Sequence, residues 1–141
     1  MFYNFDISKF PVVYVTFNHK IKDEKEFDLF LEEWLKLYIN KKYFEFVFDT
    51  RNLKSDIKYA IKIAGFIKLM KKQPVQYLKK SFIIVDSLFI KSLLDLIFSI
   101  QSPAAPVYIW KTNNKDKSQI ELVRRRLENE NFKNIIKILP S

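Results

Sequence analysis

The chain has 141 residues, the size of one ordinary domain, and 48% of them are hydrophobic, which is enough for a sizeable core. It carries 25 Lys and Arg residues against 16 Asp and Glu residues, with one Gly, one His and no Cys. These counts exclude disulfides, thiol nucleophiles, zinc–thiolate and multi-histidine metal sites, and the phosphate-binding loops that need several glycines.

Strand patterns alternate with helix patterns from the N-terminus onward. Residues 2–7 and 11–17 are rich in aromatic and β-branched side chains, which predicts an opening hairpin. Residues 22–38 begin with acidic residues and then repeat apolar residues every three or four positions, as in an amphipathic helix. Residues 43–49 predict a buried strand that ends at Asp49.

A second helix is predicted from Asp56 to Lys72, with Ser55 as its expected N-cap. The only glycine, Gly65, lies inside this helix, where its small size suits close packing against a sheet. Two apolar sets are candidates for the inward face: Ile57, Ile61, Ala64 and Ile67, or Ile63, Phe66 and Met70.

The C-terminal half continues the alternation. A short apolar run at residues 81–86 predicts a buried strand, and Ser87 is a plausible N-cap for a helix through Ile100. Residues 107–110 predict another strand. A last helix is expected from Asp116 or Ser118 to about Asn129. Residues 134–139 fit either a terminal strand or an ordered tail.

This order predicts one α/β domain over residues 1–141, with a mixed, mostly parallel sheet of about five strands, an N-terminal hairpin and about four helices. The first residues lack the pattern of a signal peptide, and the longest apolar stretch, residues 88–100, is too short to span a membrane. We therefore expect a soluble, cytoplasmic protein. Edge strands of such a sheet could pair two copies into a homodimer.

The positive charge is concentrated in residues 51–80, which contain nine basic residues and one acidic residue. Lys54, Lys58 and Lys62 are four positions apart and would form one stripe on a helix. Such a stripe fits a surface that faces nucleic acid, acidic lipid or an acidic protein, and it also fits an ordinary solvated helix face. The candidate anion- or partner-binding residues are Arg51, Lys54, Lys58, Lys62, Lys68, Lys71 and Lys72.

The end of the second helix combines basic and apolar residues. Its members are Phe66, Leu69 and Met70 beside Lys68, Lys71 and Lys72. This combination is typical of an amphipathic edge that docks on a membrane, and core packing of the apolar residues is the simpler alternative.

Two carboxylates, Asp49 and Asp86, end predicted strands, where ligands bind in parallel sheets. They could act as acid and base or bind Mg²⁺, or each could simply accept hydrogen bonds from the following turn. His19 lies beside Lys20 in a loop, and Trp34 and Trp110 fall at core positions. The sequence therefore predicts no catalytic residue, no metal site and no cofactor.

The order of elements resembles the STAS / SpoIIAA-like fold, on the patterns at residues 12–17, 22–24, 44–49, 82–86 and 107–110. The resemblance implies a non-catalytic interaction or regulatory module, and we assign its interaction surface to the basic face of the second helix. In the anti-sigma-factor antagonists of this fold, a phosphorylatable serine opens the next helix. Ser55 is the nearest match, which makes it the candidate phosphosite.

Residues 73–85 and 87–89 look like segments of the CRAL-TRIO (Sec14-like) lipid carriers, which share this fold. This second resemblance implies binding of an anionic lipid or a membrane surface, and nucleic-acid binding is a further alternative. A lipid carrier requires an apolar cavity between the sheet and the second and third helices. Binding to nucleic acid would instead weaken steeply with salt.

Overall fold

The computed structural model describes residues 1–112, 121, 123–125 and 135–141. The strands are β1 (Tyr3–Asp6), β2 (Val12–Phe17), β3 (Phe44–Asp49), β4 (Leu78–Val85), β5 (Val107–Lys111) and β6 (Ile135–Ile138). The helices are α1 (Glu24–Ile39), α2 (Ile57–Met70) and α3 (Leu88–Ile100), and residues 121 and 123–125 are also helical. The rest of the expected last helix lies outside the described residues.

The predicted α/β class is confirmed, and the mixed sheet has six strands in the order β1-β2-β3-β4-β5-β6. Strand β1 pairs antiparallel with β2 as the expected hairpin, β2 to β5 are parallel, and β6 returns antiparallel to β5. The sheet has one strand more than the expected five, because residues 135–138 pair with β5 as β6 instead of forming a tail.

Alternating side chains divide the sheet between two cores. Phe46 and Phe48 of β3 join the large core that also holds the buried residues of α1, α2 and α3. Val47 between them points to the opposite face, where it packs with Trp110 and with Val123 of the short helical stretch. Burial on both faces explains why the central strands read as continuous apolar runs. Trp34 and Trp110 are core residues, as predicted.

The helix starts follow the sequence signals, with one shift. Ser87 caps α3 as expected, and its hydroxyl accepts a hydrogen bond from the Ile90 N–H at 3.3 Å. The N-cap of α2 is Asp56, whose carboxylate accepts from the Tyr59 N–H at 3.4 Å, so the assignment of Ser55 as the cap is wrong. An aspartate caps as well as a serine does, and its charge also favours the positive end of the helix dipole.

Helix α2 buries part of each expected apolar set, namely Ala64 and Ile67 of the first and Met70 of the second. Ile57 and Ile61 are exposed, at 56% and 52%, whereas Tyr59 and Ala60 are buried. Gly65 is exposed too, and a Cβ atom placed there would meet nothing within 4 Å. The expectation that Gly65 packs closely against the sheet is therefore wrong.

The parallel strands give the sheet two distinct ends. We call the end where β2 to β5 begin the amino edge and the end where they stop the carboxyl edge. The amino edge is formed by the connecting residues 7–11, 40–43, 71–77, 101–106 and 139–141. The described loops of the carboxyl edge are residues 1–2, 18–23, 50–56 and 86–87.

Candidate functional site

At the carboxyl edge, the carboxylate of Asp49 forms an ion pair with the guanidinium of Arg51. The Arg51 Nε lies 2.8 Å from Asp49 Oδ1, and Nη2 lies 2.6 Å from Oδ2. The backbone N–H of Arg51 also donates to Oδ1 at 3.2 Å, so the expected hydrogen bond to the following turn is present. Hydrogen bonding to Asp49 raises the pKa of Arg51, and the negative charge of Asp86 adds to the effect. Asp86 itself is exposed.

The same edge holds a groove with mixed charge. Lys20 and Lys54 lie side by side in a parallel β-bridge, and the groove around them is lined by Asn18, His19, Arg51 and Asn52. The four described loops of this edge carry four Lys and Arg residues against three Asp residues. Within the described ranges, no three His, Asp or Glu side chains cluster in a way that could hold a metal ion.

Two lysines of the predicted basic stripe face acidic residues of α1. Lys58 Nζ lies 2.7 Å from Glu24, while Lys62 Nζ lies 3.7 Å from Glu24 and 3.2 Å from Asp28. The hydrogen bond between Lys58 and Glu24 lowers the pKa of Glu24 and raises that of Lys58. Lys54 lies in the loop before α2 instead of on the helix. An anion-binding role for these three lysines stays a prediction, and the helix does not carry them as one unpaired stripe.

The connecting residues of the amino edge carry only positive side-chain charge, and Asp6, the last residue of β1, borders them. The five connections of this edge contain five lysines and no acidic residue: Lys9, Lys41, Lys42, Lys71 and Lys72. Lys36 and Lys68 add two more cations in the last turns of α1 and α2. None of these seven lysines forms an ion pair with any residue that the structure describes. Helix C-termini favour cations, which accounts for part of this pattern.

Exposed apolar side chains lie among these lysines, and the helix dipole does not explain them. Ile39 is 68% exposed at the end of α1, and Leu69 is 58% exposed at the end of α2. Among the described residues, eight of the fourteen exposed large hydrophobic side chains lie on this edge: Ile7, Phe10, Ile39, Tyr43, Leu69, Val75, Ile100 and Leu139. Large exposed apolar groups that cluster on one surface mark interaction sites.

The structure brings only part of the predicted binding set to the amino edge. Lys68, Lys71 and Lys72 lie there, and Lys71 Nζ donates hydrogen bonds to the Ser102 hydroxyl and to the Ser141 carbonyl. Sequence reasoning missed Lys9, Lys36, Lys41 and Lys42, because they belong to residues 1–50, a segment that is slightly acidic overall. Grouping the loops by whether they follow a helix or a strand would have found two of them, Lys41 and Lys42, since loops after helices share one edge.

An apolar cavity of about 120 Å³ lies between the sheet and helices α1, α2 and α3, nearer the carboxyl edge. Its walls include Phe17, Phe48, Ala60 and Leu93, and Ser55 lines it as well. Ser55 is half-buried, and its role as a phosphosite stays a prediction. The cavity has the location that a lipid carrier requires. However, it is smaller than the roughly 300 Å³ at which pockets for drug-sized ligands begin.

Comparison with known proteins finds no family model, no curated protein and no solved structure that matches this chain. In the part of the chain that the structure describes, no helix combines the length and apolarity needed to cross a membrane.

Proposed function

We propose that this chain is a non-catalytic interaction module of STAS / SpoIIAA-like type, and that its target is an anionic lipid surface bound through the amino edge. The observation that carries this proposal is the combination of five lysines and no acidic residue in the connections of that edge with eight exposed apolar side chains in the connections and at the adjoining helix ends. The described loops of the carboxyl edge have near-balanced charges instead.

A membrane surface fits both components of the edge. Lysines near anionic headgroups contribute about 1 kcal/mol each, and apolar side chains gain free energy when they enter the boundary between headgroups and acyl chains. All seven cations named for the amino edge are lysines. The long lysine stem lets the neighbouring apolar side chains enter the membrane more deeply than the ammonium group does. Base stacking has less support, because both tryptophans are buried in the cores and only Phe10 and Tyr43 among the eight exposed apolar side chains are aromatic.

The absence of a catalytic role is part of the proposal. Asp49, the more buried of the two strand-end carboxylates, has both oxygens bound by the Arg51 guanidinium. A carboxylate whose two oxygens both accept hydrogen bonds from a guanidinium is poorly placed to accept a proton from a substrate.

Sedimentation with lipid vesicles tests the proposal. We expect binding to vesicles of phosphatidylcholine with roughly a third phosphatidylserine, and much weaker binding to phosphatidylcholine alone. Lys41→Gln with Lys72→Gln should lower the affinity by about 30-fold, the equivalent of about 2 kcal/mol. The control pair at the carboxyl edge, Lys20→Gln with Lys54→Gln, removes the same charge and should change the affinity much less.

Four results would overturn the proposal. Equal binding to charged and neutral vesicles would remove the electrostatic basis. Equal losses from the two lysine pairs would show that only net charge matters. Binding to a DNA oligonucleotide that is tighter than binding to vesicles, and steeply salt-dependent, would favour nucleic acid as the target. Absence of vesicle binding would leave an acidic protein as the remaining target for this edge.

A further inference from the structure

The apolar cavity is a second feature with the properties of a binding site, and it is independent of the amino edge. Its volume, about 120 Å³, is close to that of an engineered cavity of about 150 Å³ that stays dry and binds benzene. It therefore has room for one aromatic ring and not for the acyl chains of a lipid. No lysine, arginine, aspartate or glutamate lines it, so a charged ligand would lose its hydration without gaining a partner.

One fully buried polar atom of the lining side chains lacks a partner among the described residues. Trp34 lines the cavity and is 8% exposed, and its indole N–H is buried without a hydrogen-bond acceptor among the described residues. Buried donors are nearly always paired in proteins. The hydroxyl of Thr50, which also lines the cavity, already donates to the Ile84 carbonyl at 2.7 Å. A side chain of the cavity wall therefore carries a buried donor that is still without an acceptor among the described residues.

The least buried side of the cavity lies at the carboxyl edge. Fourteen of the eighteen lining residues are buried, and the four half-buried ones are Leu53, Ser55, Ile63 and Leu94. They belong to the loop before α2 and to the N-terminal halves of α2 and α3. Ligands of parallel sheets bind at this end, beyond the carboxyl ends of the strands. A ligand could therefore enter while the amino edge is docked elsewhere.

We propose that this cavity binds a small, uncharged, single-ring molecule that carries one hydrogen-bond acceptor, and that the Trp34 N–H donates to that acceptor. The site goes beyond the lipid-binding role and does not depend on it. The chemical class of the ligand follows from three properties of the cavity. It has the volume of one ring, its wall is apolar and carries no charged side chain, and the buried Trp34 N–H has no partner among the described residues.

Nuclear magnetic resonance tests the proposal without lipid, using benzene and pyridine at pH 8 as a matched pair of rings. The chain has two tryptophans and hence two indole N–H signals, which Trp110→Phe assigns. We expect both ligands to bind saturably, and pyridine to shift the Trp34 signal downfield while the Trp110 signal stays in place. Ala60→Leu fills the cavity and should abolish both titrations; if that variant does not fold, Leu94→Phe at the half-buried rim replaces it.

A separate variant, Trp34→Phe, tests the role of the indole N–H. Trp34→Phe should lower the ratio of pyridine affinity to benzene affinity by about two- to tenfold, the effect of one hydrogen bond. Two results would overturn the proposal: no saturable binding of either ring to the folded wild-type chain, or the same affinity ratio in wild type and Trp34→Phe. Neither result bears on vesicle binding, so the two proposals fail separately.

Discussion

The backbone N–H of Lys41 donates a hydrogen bond to the carbonyl oxygen of Tyr38 at 3.2 Å, and Lys41 holds a φ of 54°. It directly follows Asn40, the C-cap of α1, at the position where helices commonly place glycine in the left-handed conformation. A side chain with a Cβ atom pays roughly 1–2 kcal/mol for that conformation. The lysine thus costs stability where glycine would not, while it adds a charge to the amino edge.

Lys41→Gly should therefore separate stability from binding. We expect the free energy of unfolding to rise by about 1 kcal/mol, because glycine adopts positive φ without steric cost. Affinity for phosphatidylserine vesicles should fall by about fivefold through the loss of one charge. Denaturant titration and vesicle sedimentation measure the two effects. Lys42→Gly is the matched control, since Lys42 does not have a positive φ and should lose affinity without gaining stability.

The ion pairs between α1 and α2 should make stability depend on pH. The pKa of Glu24 is lowered in the folded state by Lys58, so its contribution is present above its ordinary pKa of 4.5 and is lost as pH falls further. Glu24→Gln should reduce stability at pH 7, and the difference from wild type should vanish on acidification below pH 4.5. Unfolding midpoints measured at pH 7 and pH 3 check this.

The control for that series is Glu32→Gln, because Glu32 lies exposed on the same helix without an ion pair among the described residues. It should show no comparable loss at pH 7. If Glu24→Gln lowers the stability equally at both pH values, the loss does not come from the charge of Glu24 and its ion pair with Lys58. Added salt should also shrink the deficit, since both side chains of the Glu24–Lys58 pair are more than half exposed.

Local patterns were sufficient for the fold and insufficient for the site. The strand runs, the acidic start of α1 and the Ser87 cap are all short-range signals, and each predicted its element. The partners of Lys58 are thirty-four residues away in the sequence, so no count along the chain could show that Glu24 neutralises it. The rotation of α2, which exposes Ile57 and Gly65, likewise depends on packing against the sheet.

The Asp49–Arg51 pair should be structural. Asp49→Asn removes the ionised partner of a largely buried guanidinium, and we expect it to lower the free energy of unfolding by about 1–3 kcal/mol. Asp86→Asn is the control, since Asp86 is exposed and its substitution should cost within about 0.5 kcal/mol. Denaturant titration of both variants checks the contrast. Equal effects from the two substitutions would contradict the role given to Arg51.

Gly65→Ala should stabilise the domain. Glycine inside a helix costs about 0.8–1.0 kcal/mol relative to alanine, and the added methyl group would meet no neighbouring atom within 4 Å. We expect a higher denaturation midpoint with an unchanged denaturant slope. A lower midpoint would mean that α2 packs more tightly at this position than the structure shows.

The most direct test of the central claim, that the amino edge contacts the membrane, uses the absence of cysteine from the chain. Single-cysteine variants Leu69→Cys and Ile57→Cys, each labelled with an environment-sensitive dye, probe opposite ends of α2 at positions that are 58% and 56% exposed. On phosphatidylserine-containing vesicles, we expect a blue-shifted emission for the dye at residue 69 and an unchanged emission at residue 57. A blue shift at residue 57 with none at residue 69 would contradict it.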